Sequence, residues 1–252
     1  MKKYFLVDYT LHLADNSLII GHRLSEWAGH GPMLEQDIAI SNIALDLIGQ
    51  SRNFYQYAAQ IKGEGATEDT LAYHRNTEEF KNIILAELPN GDWAQTIMKL
   101  FFFSSFQYYL YQKLIYSADK QLAAIAEKSL KEVTYHIRWS SEWVIRLGDG
   151  TDESHKRINK ALEELYNYTP EMFLPADFET QAVQNKTGVD ISILKIDWEN
   201  KVNQIFTEAT LTIPSLKNEE KFAGKEGKHT EHLIAILKDM QYLQRTYPGC
   251  EW

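Results

Sequence analysis

Cysteine is nearly absent: Cys250, beside the C-terminus, is the single one in 252 residues. Neither a disulfide framework nor a cysteine-ligated zinc site can therefore form within the chain. No apolar run is long enough to cross a bilayer. The start, Met1-Lys2-Lys3-Tyr4-Phe5-Leu6-Val7, has the charge and apolarity of a signal peptide only until Asp8, His12 and Asp15 interrupt it. A cytoplasmic protein without a membrane segment is expected. A Gly-rich phosphate loop, a nucleophile elbow and a zincin motif are all missing. A formal charge of −9 leaves no excess of cations for a broad nucleic-acid surface. Strand alternation and fixed-period repeats are missing too.

What is there is helical periodicity in an ordinary globular composition, 44% hydrophobic and 24% charged. Leu6, Leu13, Ile20, Leu24 and Trp27 mark a helix from Tyr4 to about His30. Gly29-His30-Gly31-Pro32 stops it, because glycine accepts a left-handed cap and proline suits a following first turn. A second long helix runs from about Met33 to Ile61, with Ile40, Ile43, Leu47, Phe54 and Tyr57 on one face, and Lys62-Gly63-Glu64-Gly65 ends it. Similar lengths and a tight turn predict an antiparallel hairpin.

A connector from Gly65 to Gly91 carries two short helix starts, Thr67-Glu68-Asp69 and Thr77-Glu78-Glu79. Asp92 is placed to cap a third long helix, Trp93 to Ser117, in which Phe101, Phe102, Phe103, Phe106, Tyr108, Tyr109 and Tyr111 call for burial on most sides. A fourth runs from Asp119 to Leu147 with Leu122, Ala126, Val133, Ile137, Ser140 and Val144 inward, closed by Gly148-Asp149-Gly150. Further helices follow at 152–168, at 191–211 and from the Thr230 cap to about Tyr247, with a mixed stretch at 170–188. The expectation is an all-α chain, residues 1–252 as one domain: a ferritin-like four-helix bundle of two long antiparallel hairpins with peripheral helices.

Di-iron members of that architecture take a Glu from each of two helices and Glu-x-x-His from each of the other two. At the corresponding depths this chain offers Leu47-x-x-Gln50 and Val133-x-x-His136. Glu132 is one residue early, which at about 100° per residue turns it off the face that His136 occupies. Opposite these positions fall Asp15 or Asn16 on the first helix and Ser104 to Gln107 on the third, and from Trp93 to Ser117 there is neither Asp nor Glu. Two irons carry a charge that hard anionic oxygens must balance. No metal site, catalytic residue or cofactor-binding residue is therefore expected in this chain. His136 reads as a core-edge imidazole bonded to a helical neighbour, Glu132 as a solvated or interface carboxylate, and Val133 with Leu47 as apolar closure of the interior.

Two other groups merit weighing. His229 and His232 are spaced to share a metal, but no third ligand stands near them in the chain. Lys225, Lys228 and His229 precede a helix N-terminus, where they could receive a phosphate, such as that of a coenzyme A, or could simply form a solvated loop or protein contact.

Many of these segments resemble one family. Leu24-Ser25-Glu26-Trp27-Ala28-Gly29-His30, Asn42 to Phe54, Gly63-Glu64-Gly65, Asp69-Thr70-Leu71-Ala72 and Leu88-Pro89-Asn90-Gly91 resemble the C subunits of bacterial phenylacetyl-CoA epoxidases. So do Lys131-Glu132 with Tyr135-His136, Arg146-Leu147-Gly148, Thr230 to Leu233 and Met240 to Arg245. The resemblance spans essentially the whole chain. It implies a non-catalytic, ferritin-like structural protein that docks and stabilises a homologous di-iron catalytic partner, the A subunit, in an assembly with a small B subunit, and with a reductase. That assembly epoxidises the ring of phenylacetyl-CoA with oxygen and electrons from NADPH, in phenylacetate catabolism. The competing expectations are a di-iron oxygenase with unusual ligands and a stand-alone helical binding module.

Overall fold

The computed structural model describes residues 4–216, 223–248 and 250. Its α-helices, in chain order, are α1 (Tyr4–Ser25), α2 (Leu34–Lys62), α3 (Glu68–Tyr73), α4 (Ile84–Glu87), α5 (Trp93–Leu114) and α6 (Lys120–Gly148). They continue with α7 (Asp152–Leu165), α8 (Asp177–Gln184), α9 (Leu194–Glu208), α10 (Glu231–Met240) and α11 (Tyr242–Thr246). Among the described residues there is no strand, only an isolated antiparallel bridge between Ala223 and Lys228. The chain is all-α, as expected.

Its contacts group into two compact units, Met1–Pro89 with Ala176–Asn185 and Phe222–Trp252, and Asn90–Pro175 with Lys186–Lys221. In the first, α1 and α2 form the long hairpin. Asp15 meets Tyr55 while Gly21 lies against Ala44 and Leu47, so the two helices run antiparallel. Helices α4 and α8 pack on α1, α3 packs on α2, and α10 packs on α4 and on the 3-10 turn Thr77–Glu79. In the second unit α5 and α6 form the hairpin, and α7 and α9 cover it.

The boundaries follow local chemistry. Asp92 accepts the Gln95 backbone N–H at 3.0 Å and Gln95 returns the bond at 3.0 Å, a reciprocal cap that starts α5. Asp119 accepts from Gln121 and Leu122 and starts α6. Helix α1 stops at Ser25, earlier than the predicted His30, because its buried stripe ends at Leu24; single turns then lead to Gly29, whose φ is +80°. The predicted helix over 152–168 is α7 followed by a 3-10 stretch, Tyr166–Phe173, and that over 191–211 begins as a 3-10 turn, Ile191–Ile193. The C-terminal helix is broken in two around Gln241.

Helices α4 and α8 had no counterpart in the sequence expectation. Both are too short to show a sustained periodic stripe, and each carries a buried carboxylate, Glu87 and Glu179. One glycine is indispensable to the same unit. Gly227 has φ +82°, and a Cβ there would lie 2.2 Å from the Glu78 carbonyl oxygen. Only glycine lets the segment before α10 turn back so closely on Glu78.

Candidate functional site

The positions where metal ligands would be sought divide between the two hairpins, and each has its own interior. On α1, Asp15 is wholly buried, and its carboxylate is fully engaged. The Tyr55 hydroxyl donates to Oδ1 at 2.5 Å, the Lys81 backbone N–H to Oδ2 at 2.8 Å, and Arg75 Nη1 to Oδ2 at 3.1 Å. Arg75 Nη2 closes the second half of a fork on Oδ1. The guanidinium also donates to the Leu71 and Glu79 carbonyls and lies 4.1 Å from the Phe80 ring centroid. Burial opposes the Arg75 charge, yet Asp15 above all raises its pKa beyond the ordinary guanidinium value. Burial and then the Asp15 charge push the Tyr55 phenol well above its usual range.

One helical turn before Asp15 the pattern continues at His12. The His12 ring donates from Nδ1 to the Lys81 carbonyl at 2.6 Å, leaving Nε2 to accept from Asn16 Nδ2 at 3.2 Å. Asn16 in turn accepts the Ile83 N–H at 2.9 Å. Burial holds the His12 pKa below its ordinary value; Glu179, 3.6 Å from Nε2, opposes that shift and Lys225 assists it. Glu179 is matched by Lys225 Nζ at 2.9 Å and by the Ala176 N–H at 2.8 Å. Glu87 accepts from the Thr230 N–H at 2.7 Å and from Asn82 Nδ2 at 3.1 Å, and faces His229 Nδ1 at 2.9 Å. His229 Nε2 lies 2.9 Å from the Phe80 carbonyl, so both ring nitrogens face acceptors, an arrangement that favours the imidazolium. Burial resists that charge, but the bonds to Glu87 and Phe80 outweigh it and raise the pKa.

The second interior is of another kind. Phe101, Phe102, Phe103 and Phe106 are buried on α5, and the charge that α5 buries is a cation, Lys99, donating to Asn90 Oδ1 at 3.2 Å. Phe102 packs 5.6 Å from Trp198, whose indole N–H donates to the Phe102 carbonyl at 3.1 Å. Ser104 and Ser140 hydroxyls lie 3.2 Å apart, and Ser140 also donates to the His136 carbonyl at 2.8 Å. Val133 and His136 are both fully buried, His136 deeper than the core-edge position expected, while Glu132 is half-buried beside them.

These donors do not fit a di-iron group. Asp15 already carries an arginine as its counter-charge, Leu47 and Val133 are buried hydrocarbon, Gln50 is a buried amide, and α5 supplies no carboxylate. Among the described residues no three His, Cys, Asp or Glu side chains converge to hold a metal ion. Lys225 and His229 are not free to take a phosphate, since each is buried against its own carboxylate; Lys228 is exposed. His232 is half-buried, and its backbone N–H meets the Thr230 hydroxyl. Sequence reasoning missed Tyr55, Arg75, Glu87 and Glu179. The signal available was faint: polar residues at His12, Asp15, Asn16 and Arg23 fall within one arc of about 100° on α1, a face that is buried once α4 and α8 pack on the helix.

No helix among the described residues is long and apolar enough to cross a membrane. Residues 2–252 match the family model described as phenylacetic acid catabolic protein. The chain is 44% identical over 247 residues to the C subunit of the 1,2-phenylacetyl-CoA epoxidase of Escherichia coli (strain K12), covering 98% of this chain and 99% of that one.

Proposed function

Because the chain belongs to the phenylacetic acid catabolic protein family, we propose that it is the non-catalytic, structural subunit of a phenylacetyl-CoA epoxidase, docking and stabilising a homologous di-iron catalytic subunit. The observation that carries this reading is 44% identity covering 98% of this chain and 99% of the relative. The chemistry of the interior supports it. Where iron would need anionic oxygen, Asp15 is neutralised by Arg75 and the α5–α6 hairpin presents Val133, His136, Ser104 and Ser140. Such an interior stabilises a bundle, and among the described residues it offers no cluster of anionic ligands for oxygen activation.

On this reading the reductase and the small third component serve the catalytic partner, and phenylacetyl-CoA is that partner's substrate. The test is co-expression with the homologous subunit, followed by turnover of phenylacetyl-CoA with a reductase. The expected outcome is a stable complex that is active, with far less than one iron per copy of this chain when it is purified alone. Turnover by the isolated chain, abolished by His136→Ala, would overturn the reading, as would failure to bind the homologous subunit.

A further inference from the structure

At one end of the first unit's hairpin α1 begins, α2 ends and the segment 75–81 passes, and between them lies a cavity of about 320 Å³. Val7, Leu11 and Ile61 give it an apolar lining; Leu11 is buried, and Val7 and Ile61 are half-buried. Small-molecule sites are of this kind, mostly apolar and upward of about 300 Å³. At about 30 Å³ for each solvent-sized group the cavity has room for roughly ten non-hydrogen atoms.

Charge decides which head such a molecule carries. Asp8, Glu64 and Glu79 bring carboxylates to the lining, and Lys62, Arg75 and Lys81 bring cations. Arg75 is spent on Asp15, in the interior behind the cavity, which leaves two lysines against three carboxylates. Of the two, Lys62 is exposed. Lys81 Nζ stands 3.7 Å from Asp8 Oδ1, too far for a good hydrogen bond, and also lies 5.3 Å from the Phe178 ring centroid. Burial lifts the Asp8 pKa above the ordinary carboxylate value, and Lys81 opposes that shift without cancelling it. The helix ends add no net sign, because α1 starts and α2 ends at the same rim and their dipoles oppose each other. Glu64 is set on that rim by a turn in which Gly63, Glu64 and Gly65 have φ of +67°, +58° and +75°, a conformation that strains the one residue with a Cβ.

We propose that this cavity binds a small organic ammonium ion, with the ammonium on Asp8 and the hydrocarbon body against Val7, Leu11 and Ile61. A primary ammonium brings three donors, which Asp8 and the exposed carboxylates Glu64 and Glu79 accept, and it replaces a Lys81 contact too long to be strong. A carboxylate ligand meets the excess of negative charge, and an alcohol leaves Asp8 short of a cation. The site is built from this chain alone and does not rest on the scaffold reading.

Calorimetric titration of the full chain with hexylamine, 1-hexanol and hexanoate, which share one hydrocarbon body, tests it at about pH 7.5, where the amine is protonated. The expected result is one hexylamine per chain, bound on the order of 10-fold more tightly than the alcohol or the acid. Asp8→Asn weakens hexylamine on the order of 10-fold and leaves 1-hexanol unchanged, while Val7→Phe, which fills the cavity, abolishes binding of both. Lys81→Met tightens hexylamine about 3-fold, since it removes the competing cation. Melting curves of each variant without ligand show that the chain compared is folded. Absence of hexylamine binding, hexanoate held as tightly as hexylamine, a Lys81→Met chain that binds hexylamine more weakly, or an affinity unchanged in both Asp8→Asn and Val7→Phe would overturn the proposal.

Discussion

Helices α1 and α5 are each buried on nearly every side, yet they are buried in opposite chemistries. Around α5 the contacts are rings, with Phe102, Trp198, Phe206, Phe106 and Phe173 meeting within about 6 Å, and Ser104, Ser140 and Lys99 find hydroxyl, carbonyl and amide partners. Around α1 they are matched charges: Asp15 with Arg75, Glu179 with Lys225, and Glu87 with His229. An aromatic interior is stabilised by area removed from water and tolerates imperfect partners. A charged interior is conditional, because each ion is costly unless its partner arrives. Those partners come from α4, α8 and the segments 75–83 and 225–230, so the α1 region is locked by remote pieces of chain.

The largest expected effect follows from removing one member of a pair. Arg75→Met leaves the Asp15 carboxylate buried without a counter-charge and should cost about 3–5 kcal/mol. Urea unfolding of Arg75→Met and of Arg75→Met with Asp15→Asn checks it, since the second change removes the orphaned charge and should recover much of the loss. If the single variant unfolds like the parent, the α1 interior is not held by charge and the contrast with α5 fails.

Next comes the converse experiment, a carboxylate placed on the buried face of α6. Val133 is fully buried, so Val133→Glu should destabilise by about 2–4 kcal/mol near neutral pH, and by less in acid where the carboxyl is protonated. Melting at about pH 5 and about pH 8 distinguishes this from a merely steric effect.

A smaller effect separates two histidines within the α1 region by the sign of their pH dependence. His229 has a folded pKa raised above 6.5, so its contribution is present below that value and is lost as pH climbs through the raised one. His12 has a folded pKa below 6.5, so its contribution is intact above 6.5 and is lost as pH falls through the lowered value. The stability gap between parent and His229→Gln should therefore narrow from acid to alkaline pH, and that for His12→Gln should narrow in the other direction. Chemical unfolding at about pH 5.5 and about pH 8.5 reads both.

The smallest effect is expected at Glu132→Ala. One residue from Val133 but half-buried, it should change stability by no more than about 0.5 kcal/mol. A loss comparable to that of Val133→Glu would mean that Glu132, not Val133, is the interior position.

The sequence by itself determined the long helices and the starts of α5 and α6, because these depend on neighbours a few residues apart: Asp92 and Asp119 as caps and the stripe that buries Val133 are local facts. It also determined that α5 is enveloped, since a helix with rings on most sides has nowhere else to put them. The missing carboxylates on α5 were equally legible. Only the tertiary structure decided how α1 disposes of its charges. Asp15 and Arg75 are sixty positions apart, and Glu87 and His229 more than twice that, so no periodicity links them. Asp15 is the same carboxylate whether it waits for a metal or for a guanidinium. What distinguishes the two is which remote side chain reaches it, and that is fixed by packing rather than by local sequence.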